Sequence, residues 1–161
     1  MVSGEIEDMY RTYGPLVLRR ARAILRDEAS ARDAMQEVFI RVIHSLDDFK
    51  REASPMTWLY RITTNHCLNQ LRNQTRRAEL LELGHGRERN QTPGLDDRLA
   101  MARVLAEVAE ELGQVAVYYY LDDLNQDEIA ELLGTSRRTV GNRLEEFRTA
   151  AQSLLAERVA Q

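Results

Sequence analysis

Between residues 79 and 95 the chain loses hydrophobic periodicity, and the tract GHGRERNQTPG (84–94) holds only glycine, proline, polar and charged residues. Such a tract has no apolar stripe to bury, so the amphipathic segments on its two sides must close separate cores. In a chain of 161 residues this predicts two small domains, 1–78 and 96–161, joined by a mobile linker over 79–95. Leu, Ala, Arg and Glu dominate, aromatic residues make up only 6%, and no run of alternating β-branched residues stands out. Both domains are therefore expected to be all-α.

Apolar residues recur every three or four positions along most of the chain, the period of a helix with one buried face. Ile6, Tyr10, Tyr13, Val17, Ala21 and Ile24 mark a helical stretch over 5–26. Gly14-Pro15 leaves open whether it is one helix or two, the second starting near Pro15. Met35, Val38, Phe39, Val42 and Leu46 mark the next stretch, 29–46, with Asp27 and Glu28 at its start. Residues 47–54, DDFKREAS, read as a polar loop ending in an N-cap, Ser54, with Pro55 in the first turn. A helix over about 55–77 follows, carrying Trp58, Leu59, Ile62 and Leu68.

Beyond the linker, 96–112 is helical and Gly113 is expected to break it. VAVYYYL (115–121) has the local propensity of a strand, yet a lone strand among helices has no partner, so it is read as helix. Two short helices close the chain. Asn125 and Glu128 make a capping-box-like start for the first, and the last begins after Ser136.

Composition narrows the function classes. Cys67 is the one cysteine, which rules out an internal disulfide framework and fits a reducing cytoplasm. The polar N-terminus does not read as a signal peptide, and no apolar stretch is long enough to cross a bilayer, so a cytoplasmic protein without direct membrane insertion is expected. There is no glycine-rich phosphate loop or nucleophile elbow. His44, His66, His85 and Cys67 lack a zinc-ligand spacing. The chain is thus read as a non-enzyme, with no catalytic residues, no metal and no cofactor.

Residues 126–144 have helix-turn-helix spacing. Ala130 is small enough for close helix approach, Gly134 can take the left-handed turn conformation, and Val140 returns to the core. The second helix then exposes Arg137, Arg138, Gly141, Asn142 and Glu145, and in this motif its N-terminal half enters the major groove. A helical hairpin with solvated arginines shares the spacing. Charge poses a problem for the DNA reading. The net charge is −4 overall; residues 91–161 carry 7 basic and 13 acidic side chains, so this half alone is net −6. Phosphate neutralisation drives most non-specific DNA affinity, so something else must supply the grip.

The N-terminal half points to what that is. DEASARDAMQEVFIRVI (27–43) and FKREASPMTWLYRITTNHCLNQLR (49–72) resemble region 2 of bacterial sigma factors of the extracytoplasmic-function (ECF) group of the sigma-70 family. The matching residues are Ala31, Asp33, Gln36, Glu37, Phe39, Phe49, Thr57, Trp58, Leu59, Tyr60, Arg61, Ile62 and Asn65. LNQDEIAELLGTSRRTV (124–140) resembles region 4 of the same family. The resemblance covers nearly the whole chain in order.

It implies an initiation subunit that directs RNA polymerase core to promoters, the polymerase supplying much of the DNA grip, and an anti-sigma factor as inhibitor. The implied partners are the β′ clamp and β flap of the core, and promoter DNA. Asp33, Gln36, Glu37, Phe39, Ile40 and Arg41 would bind the core. Phe49, Lys50, Arg51, Glu52, Ala53, Ser54, Tyr60, Arg61, Asn65 and Arg72 would read the minus-ten element. There Phe49 and Asn65 are of the residue types that wall and hydrogen-bond a flipped-out base, and five arginines against one acid over 51–77 favour a single strand. Trp58 reads as core packing. Arg137, Arg138, Thr139, Asn142, Arg143 and Arg148 would meet the minus-thirty-five element.

The pattern departs from the family in two places. Gly141, Glu145 and Glu146 stand where family recognition helices usually carry basic residues, which implies an unusual or weaker minus-thirty-five contact. Pro55 and Met56 replace larger aromatic or polar residues. The alternative reading is a stand-alone helix-turn-helix transcriptional regulator.

Overall fold

The computed structural model describes residues 2–51, 54–82 and 95–159, all in helices or short connections. In chain order the helices are α1 (Val2–Leu25), α2 (Glu28–His44), α3 (Leu46–Arg51), α4 (Pro55–Glu82), α5 (Leu95–Glu107), α6 (Glu110–Ala116), α7 (Gln126–Leu133) and α8 (Arg137–Val159). The chain divides into two compact units, Met1–Cys67 and Leu68–Gln161. The expected all-α class with two helical units is what the described residues show, the division falling inside α4. The linker expected over 79–95 lies, from residue 83 to 94, outside the described residues; up to Glu82 its residues extend α4.

In the N-terminal unit α1 is one continuous helix with Pro15 inside it, so the Gly14-Pro15 pair does not divide it. Arg26 ends it in the left-handed region (φ 59°), its N–H bonded to the Arg22 carbonyl. Asp27 then caps α2, accepting from the Ser30 N–H at 2.9 Å, and hydrogen bonds from Ser30, its side chain first and its backbone second, hold the Asp27 carboxyl below the usual range. Arg22 and Glu28 clasp the same corner through two bonds of 2.6 and 2.8 Å. The core gathers Val17 of α1, Val38, Phe39 and Val42 of α2, Phe49 of α3, and Trp58 and Leu59 of α4.

Residues 46–51, expected as loop, form α3 instead. The Phe49 N–H bonds to the Ser45 carbonyl, and the Phe49 ring stands edge-on to Trp58 at 5.3 Å and to Tyr13 at 6.3 Å. Burying that ring draws the segment into a turn of helix. Ser54 caps α4 as expected, its Oγ accepting from the Thr57 N–H at 3.3 Å.

In the C-terminal unit the break falls at Val108-Ala109, before Gly113, which lies inside α6. A Cβ on Gly113 would come within 3.3 Å of Leu68 Cδ1, so this glycine serves close packing rather than a break. VAVYYYL is helical, but its last turn, Val117–Leu121, widens to a π-helix closed by the Asp122 N–H on the Val117 carbonyl. Tyr118 is buried there and Tyr120 exposed.

α7 starts at the Asn125 cap, whose side chain accepts from the Glu128 N–H at 2.8 Å. It ends at Gly134 with φ 65°, where the Gly134 and Thr135 N–H groups close onto Glu131 and Ala130 carbonyls. Ile129, Val140 and Leu144 are fully buried beneath this turn.

A Cβ at Gly134 would meet no atom of the described residues beyond its chain neighbours within 4 Å, so backbone strain is what opposes a side chain there. Gly134→Ala is expected to cost about 1 kcal/mol, measured as a lowered denaturation midpoint with unchanged slope.

Candidate nucleic-acid interface

Three surfaces carry the residues singled out above. The first is the outer flank of α2. Ala31, Ala34, Val38, Phe39 and Val42 are buried, which turns Asp33, Gln36, Glu37, Ile40 and Arg41 to solvent in a helical row. Ile40 is 45% exposed and Ile43 43%, an uncommon display of branched apolar side chains beside acidic ones. Phe39 is the exception in the predicted set. It is 4% exposed, with its ring 4.9 Å from Tyr10, and so belongs to the core rather than to an interface.

The second surface runs from α3 along α4. Phe49 is only 6% exposed, so its ring faces the core and presents no wall to an incoming base. Glu52 and Ala53, and the side chains of Lys50 and Arg51, lie outside the described residues. Ser54 spends its hydroxyl on the α4 cap. Tyr60, Arg61 and Asn65 are half-exposed.

Tyr60 is held by a residue the motif reading missed. Arg20 is 5% exposed, its guanidinium 4.3 Å from the Tyr60 ring centroid and its Nε donating to Thr64 Oγ1 at 2.8 Å. The signal was present in the sequence, as Arg20 lies on the apolar stripe of α1 beside Val17 and Ala21. Arg72, predicted to meet DNA, donates instead to the carbonyls of Ala106 and Val108 at 3.0 and 3.1 Å, at the C-terminal end of α5, where exposed carbonyls and the helix dipole favour a cation.

The third surface is the N-terminal half of α8. Arg138 and Asn142 are exposed and Arg143 half-exposed. Thr139 is drawn into the helix start: its N–H donates to Ser136 Oγ at 3.1 Å and the two hydroxyls bond at 2.9 Å. Arg137 stands 3.7 Å from Asp127 of α7, an exposed pair that holds it weakly. Arg148 is engaged more firmly. Its Nε donates to the Tyr120 hydroxyl at 2.9 Å and a second nitrogen to Glu145 at 3.3 Å, and these two partners, Tyr120 first, raise the guanidinium pKa. No local motif marks the Tyr120–Arg148 bond, because its ends are 28 positions apart.

Among the described residues no group of three or more His, Cys, Asp or Glu is placed to hold a metal ion, and no helix is long and apolar enough to cross a membrane. Cys67 is fully buried. Burial pushes its thiol from 9.0 up to about 12, against the opposing pull of Arg20.

Comparison with known proteins bears on all three surfaces. The family model for Sigma-70 region 2 matches residues 9–77 and that for Sigma-70 region 4 matches 98–148. The RNA polymerase sigma factor CnrH of Cupriavidus metallidurans is 30% identical over 167 residues, covering 90% of this chain and 87% of that protein. The ECF RNA polymerase sigma-E factor of Escherichia coli K12 is 30% identical over 133 residues, covering 73% and 70%. The solved structure of CnrH in complex with the cytosolic domain of CnrY aligns with a TM-score of 0.54 at 22% identity, over 94% of this chain and 88% of that one. The sigma factor RpoE in complex with the anti-sigma factor NepR from Bartonella quintana gives 0.53 at 16%, over 94% and 97%. At these identities the two structures speak to the fold.

The Cys67 thiol is expected to resist alkylation at pH 8 in the folded protein and to react fully in denaturant, followed by mass spectrometry. Because the folded state keeps a proton that the unfolded chain loses, this group's contribution to stability is complete below about pH 9 and declines as pH rises toward 12.

Proposed function

The chain belongs to the sigma-70 family, in its extracytoplasmic-function group, and we propose on that premise a specific division of roles among the three surfaces. The exposed row on α2, Asp33, Gln36, Glu37, Ile40 and Arg41, docks on the β′ clamp of the polymerase core. Its mixture of carboxylates, amide and exposed isoleucine suits a partner surface that is partly basic and partly apolar. The minus-ten strand lies along α4, with Tyr60, Arg61 and Asn65 forming the base-reading patch. The buried Arg20 fixes the orientation of Tyr60, and Phe49 supports the patch from inside the core. The C-terminal unit reads the minus-thirty-five element through α8 and meets the β flap.

The fold neighbours solved as complexes, CnrH with the cytosolic domain of CnrY and RpoE with the anti-sigma factor NepR, support an anti-sigma factor as the regulator of this chain as well. Such a partner works by covering the surfaces the core would otherwise use. The observation that carries the whole reading is the co-linear match to regions 2 and 4, combined with an α2 flank left polar and uncovered within its own unit. A net charge of −4 agrees with it: docking on a core that grips DNA removes the need for a basic sigma surface.

Run-off transcription with purified core tests the reading. Transcripts from defined start sites are expected only when the chain is added. Tight binding of the isolated protein to a duplex operator, without association with core, would instead indicate a stand-alone regulator.

Two substitutions separate docking from folding. Ile40→Asp is expected to weaken core binding about tenfold or more while leaving the thermal midpoint unchanged. Phe39→Ala, one position away, is expected to lose roughly 3–5 kcal/mol of stability because its ring is buried.

A further inference from the structure

The recognition helix lacks a side chain at Gly141, in the middle of its exposed flank, one turn after Arg137 and Arg138. The space is not empty. A Cβ built on Gly141 would lie 3.2 Å from Gln126 Oε1, and among the described residues no other atom outside the helix comes within 4 Å. Gln126 is the first residue of α7, and its backbone is anchored by the Asn125 cap beside it. Its neighbour Asp127 reaches the same end of α8, 3.7 Å from Arg137. The N-terminus of α7 therefore extends two side chains over the N-terminal half of α8. Both Gln126 and Gly141 remain half-exposed.

We propose that Gln126 is a specificity-determining residue for the upstream promoter element: its carboxamide, lying over Gly141, reads a base edge in place of the side chain that α8 lacks there. This rests on the reading of α8 as the DNA-facing helix. A glutamine carboxamide carries one acceptor and two donor hydrogens, the set that pairs in bidentate fashion with N6 and N7 of adenine in the major groove. Asn142, adjacent on α8, carries the same amide chemistry. A carboxamide pairs best with adenine, so the preferred bases read by Gln126 include adenine. The glycine is then part of the device. A Cβ at 141 would stand closer to the amide oxygen than ordinary contact, so the carboxamide would have to shift by a few tenths of an ångström.

The test uses the full chain reconstituted with core polymerase. The promoter pool has a fixed minus-ten element and a randomised upstream segment, and enrichment is sequenced. Gln126→Ala is expected to relax discrimination at one or two adjacent base pairs by about tenfold, leaving the other positions unchanged. Gly141→Ala, which displaces the amide without removing it, is expected to relax the same positions. Gln126→Glu keeps the shape but removes the donors, and is expected to abolish any adenine preference there.

An unchanged base profile for Gln126→Ala, or a uniform loss across all sequences, overturns the proposal, the latter showing a phosphate or packing role. If Asn142→Ala and Arg138→Ala alter the profile while Gln126→Ala does not, only this proposal fails. If the wild-type holoenzyme shows no preference anywhere in the randomised segment, the DNA-facing reading of α8 fails with it.

Discussion

Burial of Ala31, Ala34, Val38 and Val42 sets the rotational phase of α2, and everything proposed for the N-terminal unit depends on that phase. A helix has one set of side-chain directions. Once its small and branched residues close on the core, Asp33, Gln36, Glu37, Ile40 and Arg41 have nowhere to point but outward. The small residues matter as much as the large ones, because Ala31 and Ala34 are fully buried and admit close helix approach. The outer flank is thus a consequence of packing, and its chemistry is available for a partner without cost to the core.

The same economy appears in how arginines are used. In an acidic chain a guanidinium is as readily occupied within the protein as offered to a ligand. Arg20 is buried against Tyr60 and Thr64, Arg22 clasps Glu28, Arg72 caps α5, and Arg148 is tied to Tyr120 and Glu145. What remains outward on α8 is a small set, Arg138 and Asn142 above all. Small positive sets give little non-specific grip on a polyanion. That is a physical reason for such a protein to select promoters only as part of a larger assembly.

Several elements were legible from local chemistry. The caps at Ser54, Asn125 and Ser136, and the left-handed turn at Gly134, follow from side-chain oxygens and a missing Cβ acting within a few residues of themselves. Trp58 was readable as core because it lies on an apolar stripe. Phe49 was misread because its neighbours DDFKRE are polar. Its burial comes from Tyr13 and Trp58, distant in sequence, and neither the burial nor the helix it induces is encoded nearby. Phe39 shows the converse: the family motif marks it for an interface, whereas its place on the apolar stripe of α2, legible in the sequence, puts it inside.

The sequence alone therefore determined the helical class, the presence of two helical units, the helix-turn-helix and the family, since these rest on periodicity, caps and residue types at short spacing, whereas the place where the units divide, inside α4, came from packing. Only the tertiary structure decided which arginines are spent internally, that Phe49 is a wall of the core, and that Gln126 lies over Gly141. Those outcomes depend on contacts between residues far apart along the chain. Such contacts exist only after the helices have chosen their phases, which local pattern can suggest but packing enforces.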